Sequence, residues 1–427
     1  MDFIINLYKY LDKEFTNELI NSLDLKRTNS LILNTNKISE ETFVSSFPLV
    51  KKHPFLKHVF YYNSSIYEFG KNFLMIAGCY YIMDASSLIT TSLFNINEGD
   101  KILDMCAAPG GKTISLLLYN KDKKFEVISN DLSYNRSLEL SKNIERIGAS
   151  NVIVTNNDFH LIKNKYFKAF DKIILDAPCS GSAMFRKNDL AKSDWSIEKV
   201  LALKEIQKTL LEDAIFMLKD GGEIIYSTCS FSYEENEEVI IETLNNHDEI
   251  ELINIPNHPS FYKDNNLKEA IHLFPNLYEG EGQFICHLKK NGESINREKS
   301  KTKLKHFSYD SFNFEFNKEL KINDTIYLTN NDLNLSSLKL IRPGLEVGVN
   351  LKNRFVPSFH LAHFLNSSDS IKLSEYEKNL YLHGDQINKK LNIKNGYYIV
   401  SFNGINLGFV KYVDGKLKNL YPKGLRH

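Results

Sequence analysis

Between about residues 100 and 228 five short runs rich in β-branched residues, KILDM (101–105), FEVISN (125–130), NVIVT (151–155), DKIILD (171–176) and GEIIYST (222–228), alternate with helix-like segments. Near-continuous apolar runs separated by helices pair as a parallel sheet with helices on both faces. The fold class is therefore α/β, with a doubly wound, Rossmann-like core. The segment 196–222 has helical apolar spacing, offers Ser196 as an N-cap and closes on Gly221 and Gly222. It is expected to deliver the chain into the fifth run. EGQFICHLKK (281–290) reads as a late edge strand.

A chain of 427 residues exceeds what one hydrophobic core usually serves. NSLILNTNKISEETFVSSFP (29–48) reads as a strand then a helix, and KKNGESINREKSKTKLKH (289–306) is polar and basic. The expected division is an N-terminal α+β module over 1–99, the core over 100–290, a linker over 291–306, an intermediate C-terminal region over 307–375 and a terminal domain over 376–427. MDFIINLYKYLDKEF carries scattered charges and no cleavage site, and the apolar run FLMIAGCYYIM (73–83) is too short to span a bilayer. A cytoplasmic protein with no membrane partner is expected. Five cysteines, an odd number, argue for reduced thiols. Formal net charge is zero, yet 289–427 holds 23 Lys and Arg against 13 Asp and Glu, which suits a polyanion partner.

The first run ends LDMCAAPGGKT (103–113). Gly111-Lys112-Thr113 matches the close of a phosphate-binding P-loop, but the first glycine of that motif would fall on Cys106. A turn of small residues from Cys106 through Ala107, Ala108, Pro109, Gly110 and Gly111 to Lys112 suits instead a ligand lying against backbone at the carboxyl end of the sheet. Asp104, Asp131 and Asp158 put an acid after each of three successive strands, a nucleoside-binding layout. Each acid alone would serve equally as a helix N-cap.

The fourth run ends LDAPCSG (175–181) and the fifth YSTCS (226–230). Neighbouring strands lie about 5 Å apart, so Cys179 and Cys229 can face one pocket. A thiolate is an intrinsically strong nucleophile. Pro178, Ser180 and Gly181 around one thiol, and Ser227, Thr228 and Ser230 around the other, are poor core neighbours, whereas Cys79 and Cys286 read as small buried hydrophobes. A zinc-deaminase signature would need a second cysteine at position 182, which is Ser182, so no metal is expected.

DMCAAPGGKT, LDAPCSG and YSTCS with the acidic run EENEEVI resemble, in order through 75–290, the motifs of RNA cytosine-5 methyltransferases of the Nol/Nop/Sun type. IRPGLEVGVNLKNRFVPSFHLA (341–362) and GYYIVSFNGINLGFVKYVDGKLKNLYPKGLR (396–426) are similar to the C-terminal regions of the bacterial RsmF branch, which modifies small-subunit ribosomal RNA and ends in a PUA-like domain. The resemblance implies S-adenosylmethionine as methyl donor, held by the turn from Cys106 to Lys112 and by Asp131, Asp158 and Asp176. It implies Cys229 as the nucleophile that adds to cytosine C6 and Cys179 as the group that assists product release. Asp176 is expected to hydrogen-bond the base edge.

The first 99 residues are expected to form an RNA-binding, RRM-like module. Arg186 and Lys187 are expected to meet phosphates flanking the target base. Lys411, Lys418, Lys423 and Arg426, interleaved with Phe409, Tyr412 and Tyr421, are expected to combine backbone contact with stacking. The expected partner is ribosomal RNA or the small ribosomal subunit, bound by a monomer. Where the family often carries glutamine before the first motif, this chain has Met83. A transfer RNA methyltransferase and a catalytically silent RNA-binding assembly factor are the competing readings, and two poised thiols argue against the second.

Overall fold

The computed structural model describes residues 2–187, 189–293, 304–351, 354–365 and 369–426, so most of the expected linker lies outside the described residues. Helices α1 (Asp2–Leu7) and α2 (Lys13–Leu23) precede strands β1 (Asn29–Leu33), β2 (Lys51–Lys52), β3 (Val59–Tyr62) and β4 (Tyr80–Ile82). Helices α3 (Glu40–Ser46) and α4 (Phe73–Ile76) follow β1 and β3. The strands pair antiparallel in the order β2-β3-β1-β4, a split βαββαβ arrangement. Alternation sends Leu31, Leu33 and Phe60 to one face and Ile32, Val59 and Tyr61 to the other. RNA-recognition modules leave one such face open for bases to stack. Here Ile32, Val59, Tyr61 and Tyr81 pack into the same cluster as helix α5 (Ala85–Ser92) and the core sheet. That burial closes the face on which such modules stack bases.

Strands β5 (Lys101–Asp104), β6 (Glu126–Asn130), β7 (Val152–Thr155), β8 (Phe170–Asp176) and β9 (Leu218–Thr228) run parallel in the order β9-β8-β5-β6-β7. Helices α6 (Gly111–Tyr119), α7 (Tyr134–Ile147), α8 (Phe159–Ile162), α9 (Asp189–Ser193) and α10 (Ile197–Met217) lie in the crossovers, and α11 (Glu237–Asn246) follows β9. Ile102, Val127, Val152 and Ile225 face one core cluster, Leu103, Ile128, Ile153 and Ile224 the other, as a sheet covered on both sides requires. From β5 the chain moves outward to β6 and β7, then returns to β8 on the opposite side. The carboxyl ends of β5 and β8 therefore frame the crevice where such sheets bind ligands.

Two expectations need correction. Ser196 caps α10, accepting from the Lys199 N–H at 3.2 Å, but the helix stops at Met217 rather than at the glycine pair. Gly221, with φ 74°, lies inside β9 at a register shift against β8, a bulge that glycine admits. Strands β10 (Ile250–Leu252), β11 (Tyr262–Asp264), β12 (Leu267–His272) and β13 (Phe284–Lys290) extend the sheet antiparallel. Far from being an edge, β13 has β9 on one side and β10 and β12 on the other.

The C-terminal third starts with the hairpin β14 (Lys305–Tyr309) and β15 (Phe312–Phe316). A sheet ordered β16-β17-β19-β20 comes next, built from β16 (Lys318–Ile322), β17 (Thr325–Thr329), β19 (Leu345–Leu351) and β20 (Arg354–Pro357). Between β17 and β19 the chain reaches back, and β18 (Leu340–Arg342) pairs with β7 at the edge of the core sheet. There the buried guanidinium of Arg342 donates to the Val152 (3.2 Å) and Ala149 (2.7 Å) carbonyls just beyond α7. After α12 (Leu361–Phe364) comes a last sheet, β21 (Ile371–Lys372), β22 (Ile387–Asn388), β23 (Gly396–Phe402), β24 (Ile405–Val413) and β25 (Lys416–Asn419), with α13 (Glu375–His383) beside it. It opens at Ile371, ahead of the expected boundary at 376. Val400, Val410, Tyr412 and Leu417 share one cluster with Leu31, Leu33, Phe43 and Phe60 of the first module. The rings of Phe73 and Phe402 meet edge-on at 5.6 Å across that junction. No helix among the described residues is long and apolar enough to cross a membrane.

Candidate active site

The register places Asp176 beside Ser227, so the acid ending β8 and a hydroxyl near the end of β9 are neighbours. Ser227 Oγ donates to Asp176 Oδ1 at 2.7 Å, and Gln283 Nε2 donates to the same oxygen at 3.0 Å. The buried ammonium of Lys112, from the first turn of α6, pairs with Oδ2 at 2.6 Å. Both carboxylate oxygens are thus anchored while the side chain remains 34% exposed, a fixed charge facing the crevice. Gln283 escaped the sequence reading. Only once β13 is known to pair antiparallel with β9 does the residue before Phe284 fall beside the end of the strand leading to Cys229.

The turn from Cys106 to Lys112 is held from three sides. The Ala107 N–H donates to the Asn130 carbonyl (2.7 Å), Arg136 Nη2 to the Ala108 carbonyl (2.6 Å) and Asn143 Nδ2 to the Pro109 carbonyl (2.8 Å). Gly110 has φ 112°, a left-handed backbone that favours glycine, and a Cβ there would stand 3.0 Å from Leu140 Cδ1, which would have to give by a few tenths of an ångström. Cys106 packs partly buried against the core, which pushes its thiol up. Met83 lies against this turn, its Cε 3.0 Å from where a Cβ on Gly111 would stand, an apolar contact at the position that departs from the family. Asn130, also missed, ties three strand ends by donating to the Met105 and Asn157 carbonyls while its Oδ1 accepts from Thr155 Oγ1.

Of the three acids after successive strands, Asp104 is fully buried. Its Oδ2 accepts from Thr113 Oγ1 at 2.7 Å, but its Oδ1 has no partner. Burial pushes this carboxyl up to about 7. Asp131, also buried, accepts from the Ser133 N–H (2.9 Å) and lies 3.5 Å from Arg136. Asp158 is exposed and caps α8, accepting from the His160 N–H at 3.0 Å.

Cys179 Sγ and Cys229 Sγ lie 3.1 Å apart. Their loops are laced together: the Ala183 N–H donates to the Cys229 carbonyl (3.0 Å) and the Phe231 N–H to Ser182 Oγ (2.7 Å). The hydrogen bond to Cys229, then burial, raises Cys179 well above the ordinary thiol range, so it stands as a thiol facing its neighbour. Cys79 and Cys286 are fully buried in apolar clusters.

The residues expected to touch RNA divide. Arg186 is a correction: its guanidinium is buried, bonded through Nε and Nη2 to Glu281 at 3.2 Å and through Nη2 to the Gly280 carbonyl at 2.6 Å. Lys187, next to it, is exposed. Phe409, Tyr412 and Tyr421 are core residues rather than stacking platforms. Lys411 stands opposite both Tyr397 and Lys418 across β23, β24 and β25, with Nζ 5.5 Å from the Tyr397 ring. Lys423 is exposed, and Arg426 folds back to donate to the Tyr421 carbonyl.

The family model described as 16S rRNA methyltransferase RsmB/F matches residues 91–289, that of the RsmF rRNA methyltransferase first C-terminal domain matches 306–365, and that of the methyltransferase RsmF PUA domain matches 368–427. A ribosomal RNA small subunit methyltransferase F from Shewanella loihica is 30% identical over 388 residues, 84% of this chain and 80% of that protein. The chain belongs to the RsmB/F methyltransferase family. The RsmF relative of Shewanella piezotolerans is 29% identical over 93% of this chain and 90% of its own length, and that of Vibrio parahaemolyticus 28% over 93% and 91%. Among solved structures, a methyltransferase homologue from Pyrococcus horikoshii superposes with a TM-score of 0.58 at 27% identity, covering 67% of this chain and 93% of that one. NSun6 from Pyrococcus horikoshii, solved with SFG, has a TM-score of 0.62 at 20% identity, covers 68% and 98%, and shares the fold. As a member of the RsmB/F family this protein is a methyltransferase with a mixed-sheet core and a C-terminal PUA-like domain.

Proposed function

We propose that this enzyme methylates C5 of cytosine in small-subunit ribosomal RNA, with S-adenosylmethionine as donor, through a covalent adduct between Cys229 and cytosine C6. The observation that carries this reading is the pair of thiols 3.1 Å apart beside the anchored Asp176 carboxylate. The names of the relatives, ribosomal RNA small subunit methyltransferase F, support the substrate class.

The residues fit the donor. Asp104 Oδ1, buried without a partner, offers an acceptor for an amine or hydroxyl at the sheet's carboxyl end. The Cys106–Lys112 turn and Asp131 would hold it, with Asp158 at the rim. S-adenosylmethionine, when bound, supplies an electrophilic methyl group.

Cytosine C5 is a poor nucleophile, and the Cys229 thiolate remedies this by adding at C6, which shifts the ring electrons toward C5. Asp176, fixed by Lys112, Ser227 and Gln283, faces the N3/N4 edge of the base and stabilises the adduct. Once C5 carries a methyl group, loss of its proton restores the C5–C6 double bond and expels Cys229. Cys179, as the thiolate left after its own proton has passed to solvent, takes that proton. The hydrogen bond to Cys229, the largest cause that raises this thiol, lapses when that sulfur is bonded to carbon, while its burial remains. Lifting the base from its stack costs a few kcal/mol. Lys411 and Lys418, like charges directly opposite one another, unfavourable in an isolated sheet, would bind RNA phosphate beside Tyr397 and help offset that cost.

The test follows tritium from methyl-labelled S-adenosylmethionine into small-subunit RNA. Cys229→Ala is expected to lose about 10⁴-fold or more in rate, and Cys179→Ala to accumulate an RNA adduct that survives denaturant. Transfer at the native rate by Cys229→Ala would sink the nucleophile assignment. Label in transfer RNA alone moves the substrate, and no label in any RNA favours an assembly factor.

A further inference from the structure

The acidic run after Cys229 is not a solvated face. Glu234 turns toward α1, where Asn6 Nδ2 donates to both its oxygens at 3.2 Å, and Glu237 meets His272 at 2.5 Å. Glu235 has no exposed surface and receives four hydrogen bonds. The Ser180 N–H (2.8 Å) and Gln207 Nε2 (3.0 Å) donate to Oε1, while Ser180 Oγ and Ser230 Oγ each donate to Oε2 at 2.5 Å. Ser180 follows Cys179 and Ser230 follows Cys229, so one carboxylate grips the residue next to each thiol. Gln207 also donates to the Pro178 carbonyl at 2.9 Å, tying α10 to the first loop. From the next position Asn236 secures the second loop, donating to the Ser230 carbonyl (2.9 Å) and accepting from Thr228 Oγ1 (2.5 Å).

We propose that Glu235 is the positioning residue that sets the spacing of Cys179 and Cys229, an inference that rests on the two-cysteine reading above. A buried carboxylate is tolerated only with several donors, and apolar packing would hold two loops together without its desolvation cost. Charge-assisted hydrogen bonds add direction, fixing each loop in angle as well as distance. The chemistry requires that accuracy, because one sulfur must reach C6 and the other the proton on C5 of the same ring. Glu235 touches neither base nor donor and acts through the two serines.

The test is Glu235→Gln, equal in size but carrying an amide that confronts the donors. With tritium transfer as readout, kcat is expected to fall about 100-fold, the cost of displacing a reacting group by about 1 Å. The KM for S-adenosylmethionine should stay unchanged, since no contact of Glu235 reaches the donor site. A second readout needs neither RNA nor donor. Diamide accepts the two electrons and two protons released when Cys179 and Cys229 join, and the cross-link is quantified by mass spectrometry over time. The native protein should cross-link readily and Glu235→Gln should lose the cross-link over the same exposure. Native kcat in Glu235→Gln, or a lowered kcat with native cross-linking, overturns the proposal. Should Glu235→Gln fail to fold, Ser180→Ala with Ser230→Ala removes both hydroxyl ties and takes the same two readouts. If the native protein labels no RNA, the functional reading fails while cross-linking still judges Glu235.

Discussion

At the carboxyl end of the core sheet, Lys112, Ser227 and Gln283 arrive from separate segments and meet on Asp176. Along β24 neighbours in sequence are instead sent apart. Phe409 enters one core, Val410 and Tyr412 enter another, and Lys411 joins Lys418 and Tyr397 in a row across three strands. The contrast arises where the backbone stops pairing. At a strand end side chains turn toward a common crevice, whereas within a strand successive residues must serve opposite faces. A motif at a strand end therefore reports a site, but a mixture of lysine and aromatic residues along a strand does not.

If that contrast is right, residues expected at the RNA surface but found inside should fail by unfolding. Arg186→Ala strands Glu281 in a buried pair, and a loss of about 3–5 kcal/mol is expected in denaturant melts. Lost RNA affinity with an unchanged melt would break the comparison. Phe409→Ala should cost a comparable 3–5 kcal/mol or so, because it empties a core position; a stacking role would leave stability intact.

Asp104 sharpens the other side. An unfolded Asp titrates near about 3.9, whereas burial holds the folded carboxyl up to about 7. Between these values the native state binds the extra proton, so the contribution is fully present below about pH 4 and is lost as pH rises to about 7. Asp104→Asn should therefore melt higher than the native protein at pH 8, by about 2–4 °C for each kcal/mol recovered, with a smaller gap at pH 5. The same variant should bind S-adenosylmethionine more weakly in calorimetry. An equal gap at both pH values would refute the burial account. Smallest of all, Lys411→Ala with Lys418→Ala should leave stability within about 0.5 kcal/mol. The dependence of RNA affinity on salt should fall by about one unit of slope for each phosphate that a lysine no longer neutralises; an unchanged slope would move the RNA elsewhere.

Much of the core was legible, because five apolar runs with helices between them admit one sheet type, and the turns at their ends carry the residues found around the crevice. The residues that stayed hidden depended on partners distant in sequence. Gln283 and Glu235 gain meaning only when β13 is placed beside β9 and the two cysteine loops beside each other. The RRM-like order of the first module was readable as strand and helix, but not the burial of Tyr61 and Tyr81 against the core. Arg186 resembles a surface cation until Glu281, 95 residues later, is folded over it.

The cluster shared by β1, β3 and the C-terminal sheet also dictates an order of events during synthesis. A ribosome adding about 5–20 residues per second leaves the first module waiting on the order of tens of seconds for the strands from Ile371 onward. Through that interval Phe60 is already covered by Phe43 of α3, whereas Phe73 at the start of α4 lacks the Phe402 ring that it meets in the finished fold. The junction between the first module and the C-terminal sheet is thus completed only once the strands from Ile371 onward have been made.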